Sequence, residues 1–489
     1  MTELPGPNEE VLEAQARVCT GPHQTRPLGK RPGDPDPGRV LELIVQSERG
    51  KLGREAKVSR AQMGAFFAAM TIRKGFGKET AWSEAEMGAM ARWEETLREC
   101  LPSEVWFLLE PEAAYTARSA VERAAVGPLR GVLNGEHLSY DDTLALLRAL
   151  IAGELSAAWG AALLIGQRMN LESYEEIRAY ADAVYGPEDR VEVDVDSLTH
   201  FGQPYDGATR YLRPTVFVAA VRAAQGRPSV LHGVDEMPPK SGVTEEGVLR
   251  ALGAGVDLSV QAAARLVEDP EVGFAYVSQR EFSPGAYGLR DLRVHIKKRP
   301  VLATTEKAVR LMTCRGRERG PGRECMVVGF YHPGYEEPLL HLMRSGDLDA
   351  GLVIKGEEGS SHYSLRLGQP STATRKAINF TQGFRRDGDQ FNAFSADVDP
   401  RAAGFDFESS PRFEDMRAVA IADAGMAALS GARGAVYDRI LLNAGIIDFQ
   451  LGFCDDADEA VAQARGAMDS GAALMRLRSY LRRSRSSPR

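Results

Sequence analysis

The chain has 489 residues, of which 43 % are hydrophobic and 26 % charged, and its formal net charge is −8. That length suits two to four domains with ample core, and the composition is that of an ordinary globular chain. It contains no run of eighteen uncharged apolar residues, which excludes a transmembrane helix, and its acidic balance weighs against a dedicated nucleic-acid binder. The first residues lack an apolar stretch and carry Glu3, Glu9, Glu10 and Glu13, which argues against a secretory signal. Cys19, Cys100, Cys314, Cys325 and Cys454 are scattered and form no C-x-x-C pair. Isolated thiols of this kind suit a reducing compartment rather than a disulfide framework or a zinc ribbon. The expected location is cytoplasmic, with an organelle such as a plastid left open.

Residues 1–37 are polar and rich in Pro and Gly, and they read as a disordered arm. From Val40 to Val184 apolar residues recur three and four apart, the period of helices. Two stretches within this region resemble each other. Ala61-Gln62-Met63-Gly64-Ala65-Phe66-Phe67 is followed by Trp82-Ser83-Glu84-Ala85-Glu86, and Ala157-Ala158-Trp159-Gly160-Ala161-Ala162-Leu163 by Glu172-Ser173-Tyr174-Glu175-Glu176. In each, a serine can cap orphan N–H groups while carboxylates favour the positive helix end. The pattern suggests a duplicated helical module, against the alternative of two unrelated Ala-rich helices. The expected divisions are an extra helical module over 38–125 and a helical domain over 126–188, with helices near 288–312 packing on the latter.

After Tyr185 the character changes. Val191 to Val195 alternates as a strand does, Val216 to Ala224 reads as a helix, Ser229-Val230-Leu231 as a strand and Gly247 to Leu252 as a helix. Met326 to Phe330 and Ala350 to Ile354 are continuous apolar runs, as expected of buried parallel strands. Arg439 to Ala444 reads as another strand, Glu459 to Arg482 as a closing helix, and 481–489 as a basic disordered tail. The expected fold is a small all-helical domain, duplicated at the N-terminus, plus a larger α/β domain over 189–480 with a mainly parallel central sheet. Ligands in such sheets sit beyond the carboxyl ends of the strands.

Three segments in that order carry a resemblance. They are Gly202-Gln203-Pro204-Tyr205-Asp206-Gly207 with Leu212-Arg213-Pro214-Thr215, then Leu231-His232-Gly233-Val234, then Lys240-Ser241-Gly242 leading to Leu249-Arg250-Ala251-Leu252-Gly253. With Leu442-Asn443-Ala444 and Met468 to Leu474 near the C-terminus, the chain resembles the anthranilate phosphoribosyltransferases over roughly 128–480. Their corresponding motifs are G-T-G-G-D, N-x-S-T, K-H-G-N and L-E-A-L-G.

The resemblance implies a homodimeric scaffold for pentosyl transfer from a phosphorylated sugar donor, with Mg²⁺ offsetting the charge of the leaving pyrophosphate. It implies a binding role for Gly202, Asp206, Gly207, Thr215, His232, Gly233 and Gly242. Arg210, Arg213 and Lys240 are candidate replacements for cations the motifs have lost, and Arg290 lies near the family's anthranilate-binding arginine. No residue is singled out as catalytic. Several family positions are changed: Pro204 and Tyr205 replace glycines, Leu212 and Pro214 replace the amide and the serine, and Leu231 and Val234 replace the lysine and the asparagine. Ser361-His362 stand where the family carries an Asp-Glu pair. Glu357 and Glu358 are then the candidate metal ligands, against the alternative of a solvated acidic turn.

Two further readings stay open. Tyr331 to Glu337 follows a buried strand and is placed to line a pocket. Arg290, Arg293, Lys297, Lys298 and Arg299, with Arg310, Arg315, Arg317, Arg319, Arg323 and the tail Arg482-Arg483-Ser484-Arg485, could instead form a nucleic-acid surface, as in non-catalytic members of this family. The extra helical module could serve dimerisation.

Overall fold

A computed structural model of the chain describes residues 6–315, 323–372 and 375–486. It divides into two compact units, Met1–Val184 with Gly288–Ala303, and Tyr185–Tyr287 with Thr304–Arg489.

The first unit is all-helical. Its main helices are α1 (Glu9–Val18), α2 (Pro37–Glu48), α3 (Arg60–Arg73), α4 (Glu84–Cys100), α5 (Ser103–Leu109), α6 (Ala120–Leu133), α7 (Tyr140–Ile151), α8 (Ala157–Met169) and α9 (Tyr174–Val184). Their starts are written into the sequence. Asn8, Asp36, Ser59, Ser83, Ser119, Ser139 and Ser156 each accept a backbone N–H of the following turn. Helices α3 and α8 are rich in Ala and Gly and are buried almost all round, so they form the centre of the bundle.

Residues 6–37 do not form a disordered arm throughout. Val11, Leu12, Ala14, Gln15 and Val18 place a buried stripe on α1, which packs on α3. The Pro- and Gly-rich average of the segment hides this short periodic stretch. The returning segment contains the helix Arg290–His295, and the Nδ1 of His295 bonds the hydroxyl of Ser59 at 3.0 Å. The segment assigned to the helical unit ends at Ala303 rather than near 312.

The second unit is built on a seven-stranded sheet. Its strands are β1 (Val191–Val193), β2 (Leu198–Gly202), β3 (Ser229–Gly233), β4 (Phe274–Ser278), β5 (Met312–Cys314), β6 (Glu324–Gly329), β7 (Ala350–Ile354), β8 (Phe380–Asp387) and β9 (Gln390–Asp397). The order is β4-β3-β2-β6-β7-β8-β9, and β1 and β5 pair separately as a parallel ribbon. From β4 to β7 every pairing is parallel, and each of these strands is buried at all positions. Both faces are therefore covered, which is why β6 and β7 read as unbroken apolar runs. The β8–β9 hairpin adds antiparallel strands at one edge, a feature absent from the expectation.

The fold contains an all-helical unit and an α/β unit with a mainly parallel sheet, as expected, but differs in detail. Arg439 to Ala444 is part of a helix, Ala435–Leu451, not a strand. A six-residue segment around the apolar Ile440-Leu441-Leu442 is too short for a period to separate a buried strand from a buried helix. The closing helix is two helices, Ala457–Asp469 and Ala472–Ser486, separated at Ser470 and Gly471, the latter with φ 76°. The second extends through most of the expected tail and packs on the helix α10 (Thr215–Ala224), with Tyr480 stacked on Phe274 at 4.7 Å. Arg483 pairs with Asp269 and Glu271. Among the described residues no helix is long and apolar enough to cross a membrane.

Candidate functional site

The parallel strands deliver their carboxyl ends, and the loops that follow them, to one edge of the sheet. Gly202 of β2 lies between His232 of β3 and Val328 of β6 in the register. The loop after β2 and the loop after β3 are zipped together. Gly242 N–H donates to the Asp206 carbonyl at 2.9 Å, and Ala208 and Val243 exchange two N–H···O bonds of 2.9 Å. Gly207 turns there with φ 74°, and a Cβ on it would strike the backbone of Gly242. Glycine at both positions is therefore required by backbone meeting backbone.

Charged side chains converge on this junction. Arg213 is buried and donates to the carbonyls of Pro204 at 2.9 Å and Gly207 at 2.6 Å, with Glu245 at 3.8 Å. Lys240 donates to the same Gly207 carbonyl at 2.8 Å and pairs with Glu358 at 2.7 Å. The Glu358 carboxylate also accepts the backbone N–H groups of Thr209, Arg210 and Tyr211 at 3.0–3.3 Å and the Thr209 hydroxyl at 3.0 Å. Three successive N–H groups facing one carboxylate form an anion nest. The Lys240 ammonium and these N–H donors outweigh burial and hold the Glu358 carboxyl down at about 2. Arg210 reaches it at 3.8 Å.

The remaining changed positions are equally committed. The amide of Gln203 bonds Ser361 through its backbone and hydroxyl and His362 Nδ1 at 3.1 Å. The Tyr205 hydroxyl shares a 2.7 Å bond with His232 Nδ1 and donates to the Glu306 carbonyl at 3.2 Å. Burial drives the His232 imidazole down to about 4, so it is neutral at physiological pH. The Lys307 carbonyl lies directly over Gly202. Thr215 donates to Glu245 at 3.0 Å.

The structure thus brings Gly207, Gly242, Arg210, Arg213, Lys240 and Glu358 together, with Asp206 in the same zipped loop. It separates the two glutamates that the sequence offers as a metal pair. Glu357 turns inward to Arg439 at 3.0 Å and Ser364 at 2.9 Å, while Glu358 turns to Lys240. Among the described residues no three His, Cys, Asp or Glu side chains are grouped as metal ligands. Arg290 belongs to the helical unit. Tyr331 is exposed, and Lys355 lies 5.0 Å from its ring centre.

Sequence reading alone did not find Glu245, Glu246, Arg280, Asp235 and Tyr287. Glu246, fully buried, accepts from Tyr276 and Arg280 at 3.0 Å, and Tyr287 donates to Asp235 at 2.9 Å. The available signal was Thr244-Glu245-Glu246, a helix start one residue beyond Lys240-Ser241-Gly242.

Comparison with known proteins fits this architecture. A family model described as "Glycosyl transferase family, helical bundle domain" matches residues 129–185. The anthranilate phosphoribosyltransferase of Thermomicrobium roseum is 28 % identical over 352 residues, covering 71 % of this chain and 94 % of the relative. That of Paracidovorax citrulli is 26 % identical, covering 73 % and 96 %. Among solved structures, the anthranilate phosphoribosyltransferase of Thermus thermophilus superposes with a TM-score of 0.58 at 22 % identity, covering 73 % of this chain and 99 % of that one. The Saccharomyces cerevisiae enzyme in complex with PRPP and Mg gives 0.56 at 15 % identity, covering 74 % and 99 %. Residues 129–185 thus match a helical bundle of the glycosyl transferase family, and the fold is like that of these solved structures. In sequence the chain is similar to anthranilate phosphoribosyltransferases over nearly their whole length, and its fold is like theirs.

Proposed function

We propose that the chain is a divergent phosphoribosyltransferase-like protein whose donor site is altered and occupied by its own side chains. The observation that carries this reading is Glu358. Its carboxylate takes the anion nest of Thr209, Arg210 and Tyr211 and the ammonium of Lys240, donors of the kind that would hold a donor phosphate. Arg213 is turned onto backbone carbonyls, so Arg213 and Lys240 are spent internally.

Mg²⁺ does not fit the proposed pair. Glu357 is neutralised by Arg439 and Glu358 by Lys240, and each would have to lose its partner to bind a cation. Titration calorimetry with phosphoribosyl pyrophosphate and Mg²⁺ tests the reading. We expect no binding heat at millimolar donor, whereas micromolar binding overturns it.

The nucleic-acid reading has less support. Arg293 is buried, His295 is bonded to Ser59, Arg310 pairs with Glu324, and Arg483 pairs with Asp269 and Glu271. Arg317 and Arg319 lie outside the described residues. Retention of single-stranded oligonucleotides with a slope against salt near zero is the expected result, because Arg293, Arg310 and Arg483 are buried or paired within the chain.

A further inference from the structure

The helical unit contains two equivalent four-helix modules, α1–α4 and α6–α9. The equivalence rests on two fully buried glutamates, Glu86 and Glu176. Each closes a reciprocal box at the start of its module's last helix. Glu86 accepts the Ser83 N–H at 2.7 Å while the Ser83 hydroxyl accepts the Glu86 N–H, and Glu176 does the same with Ser173 at 2.6 Å. Each also accepts the N–H of a leucine in the loop between the first and second helices, Leu28 at 3.1 Å and Leu138 at 3.0 Å. Finally, each binds a side chain from the last turns of the third helix, Arg73 at 2.7 Å and Gln167 at 3.0 Å. The same three connections, made by a buried carboxylate at the same place in each module, are hard to obtain from two unrelated bundles.

The modules also contact each other through the same element. The third helix of one, α3, packs along the third helix of the other, α8, so closely that a Cβ on Gly64 would overlap the backbone of Ala158. In the second and first modules alike, the second helix packs on the fourth and the first on the third. A patch meeting its own equivalent is the arrangement of an isologous interface between two identical subunits. Here both halves lie on one chain.

We infer that residues 9–100 are an internal second copy of the 120–184 bundle, seated on the face by which such a bundle would pair with another subunit. That face is thereby closed in cis, and the chain does not dimerise through it. One molecule then carries two bundles and one α/β unit. The inference does not depend on the state of the donor site.

Sedimentation velocity of the full chain across the micromolar range tests it, combined with hydrogen exchange at both ends of that range. The expected particle has one-fold mass, 53.2 kDa. A monomer, or a dimer in which the α3 and α8 amides exchange equally slowly at every concentration, supports the inference. A particle of two-fold mass whose α3 and α8 amides gain protection only on association overturns it.

Discussion

Lys240 and Glu358 meet at 2.7 Å across two loops that follow different strands, and the same Lys240 ammonium is bound to the carbonyl of Gly207 at 2.8 Å. One lysine therefore fixes the loop after β2, its own loop after β3 and the turn after β7. Replacing it with Met keeps the bulk and removes the charge. We expect Lys240→Met to lower stability by about 1.5–3 kcal/mol, the range for a hydrogen bond to a charged group, as read by urea unfolding.

Glu358 gives the pair a pH signature. Its carboxyl is held at about 2 in the folded protein against an ordinary 4.5. A depressed carboxyl contributes stability that is present above 4.5 and lost as pH falls towards 2. The stability difference between the native chain and Glu358→Gln should therefore be constant near neutrality and shrink between those values. A difference that stays level to pH 2 would show that the nest does not hold a charged carboxylate.

His232 acts in a neighbouring window. Its imidazole is lowered by burial from 6.5 to about 4, so the unfolded chain takes up the proton first. Stability is full above 6.5 and is lost as pH falls through that interval. His200 and His362 are displaced in the same direction by burial. His232→Gln should flatten, without abolishing, the loss of stability between pH 6.5 and 4, as followed by thermal unfolding.

The two buried glutamates of the bundle are not equal in cost. Glu86→Gln leaves the fully buried Arg73 without its counter-charge and should cost about 3–5 kcal/mol. Glu176→Gln loses charged hydrogen bonds to Gln167 and two backbone N–H groups, and should cost about 1.5–3 kcal/mol. Denaturant unfolding of both variants measures the ordering.

Two glycines of the first module should respond in opposite directions. Gly64→Ala places a methyl group into the Ala158 backbone and should destabilise by about 1–3 kcal/mol through overpacking. Gly88 is exposed within α4, with open space where a Cβ would lie. Gly88→Ala should therefore stabilise by about 0.5–1 kcal/mol by restricting the unfolded chain. Melting temperatures of the two variants separate these outcomes.

Much of the scaffold was legible because its signals are local. Serine caps precede the bundle helices, and β7 coincides with the apolar run Ala350 to Ile354. The pairs Ser83/Glu86 and Ser173/Glu176 were visible as helix starts, since a cap needs only three residues of spacing. Where local pattern was ambiguous the reading failed. Arg439 to Ala444 lies inside a seventeen-residue helix, and the stripe on α1 was masked by the Pro and Gly around it.

The scaffold and the substitutions at the motif positions of Gly202–Gly242 could be read along the chain, because caps, periodicity and motif order are properties of neighbouring residues. What fills the site follows from contacts made in the folded chain. Glu357 and Glu358 are adjacent in sequence and chemically identical, yet one faces Arg439 and the other faces Lys240 and the Thr209–Tyr211 nest. Those partners lie more than a hundred residues from Glu358 in one direction and eighty-two from Glu357 in the other. The direction a carboxylate takes is set by where the folded chain presents opposite charge and unpaired N–H groups, and no local pattern carries that information.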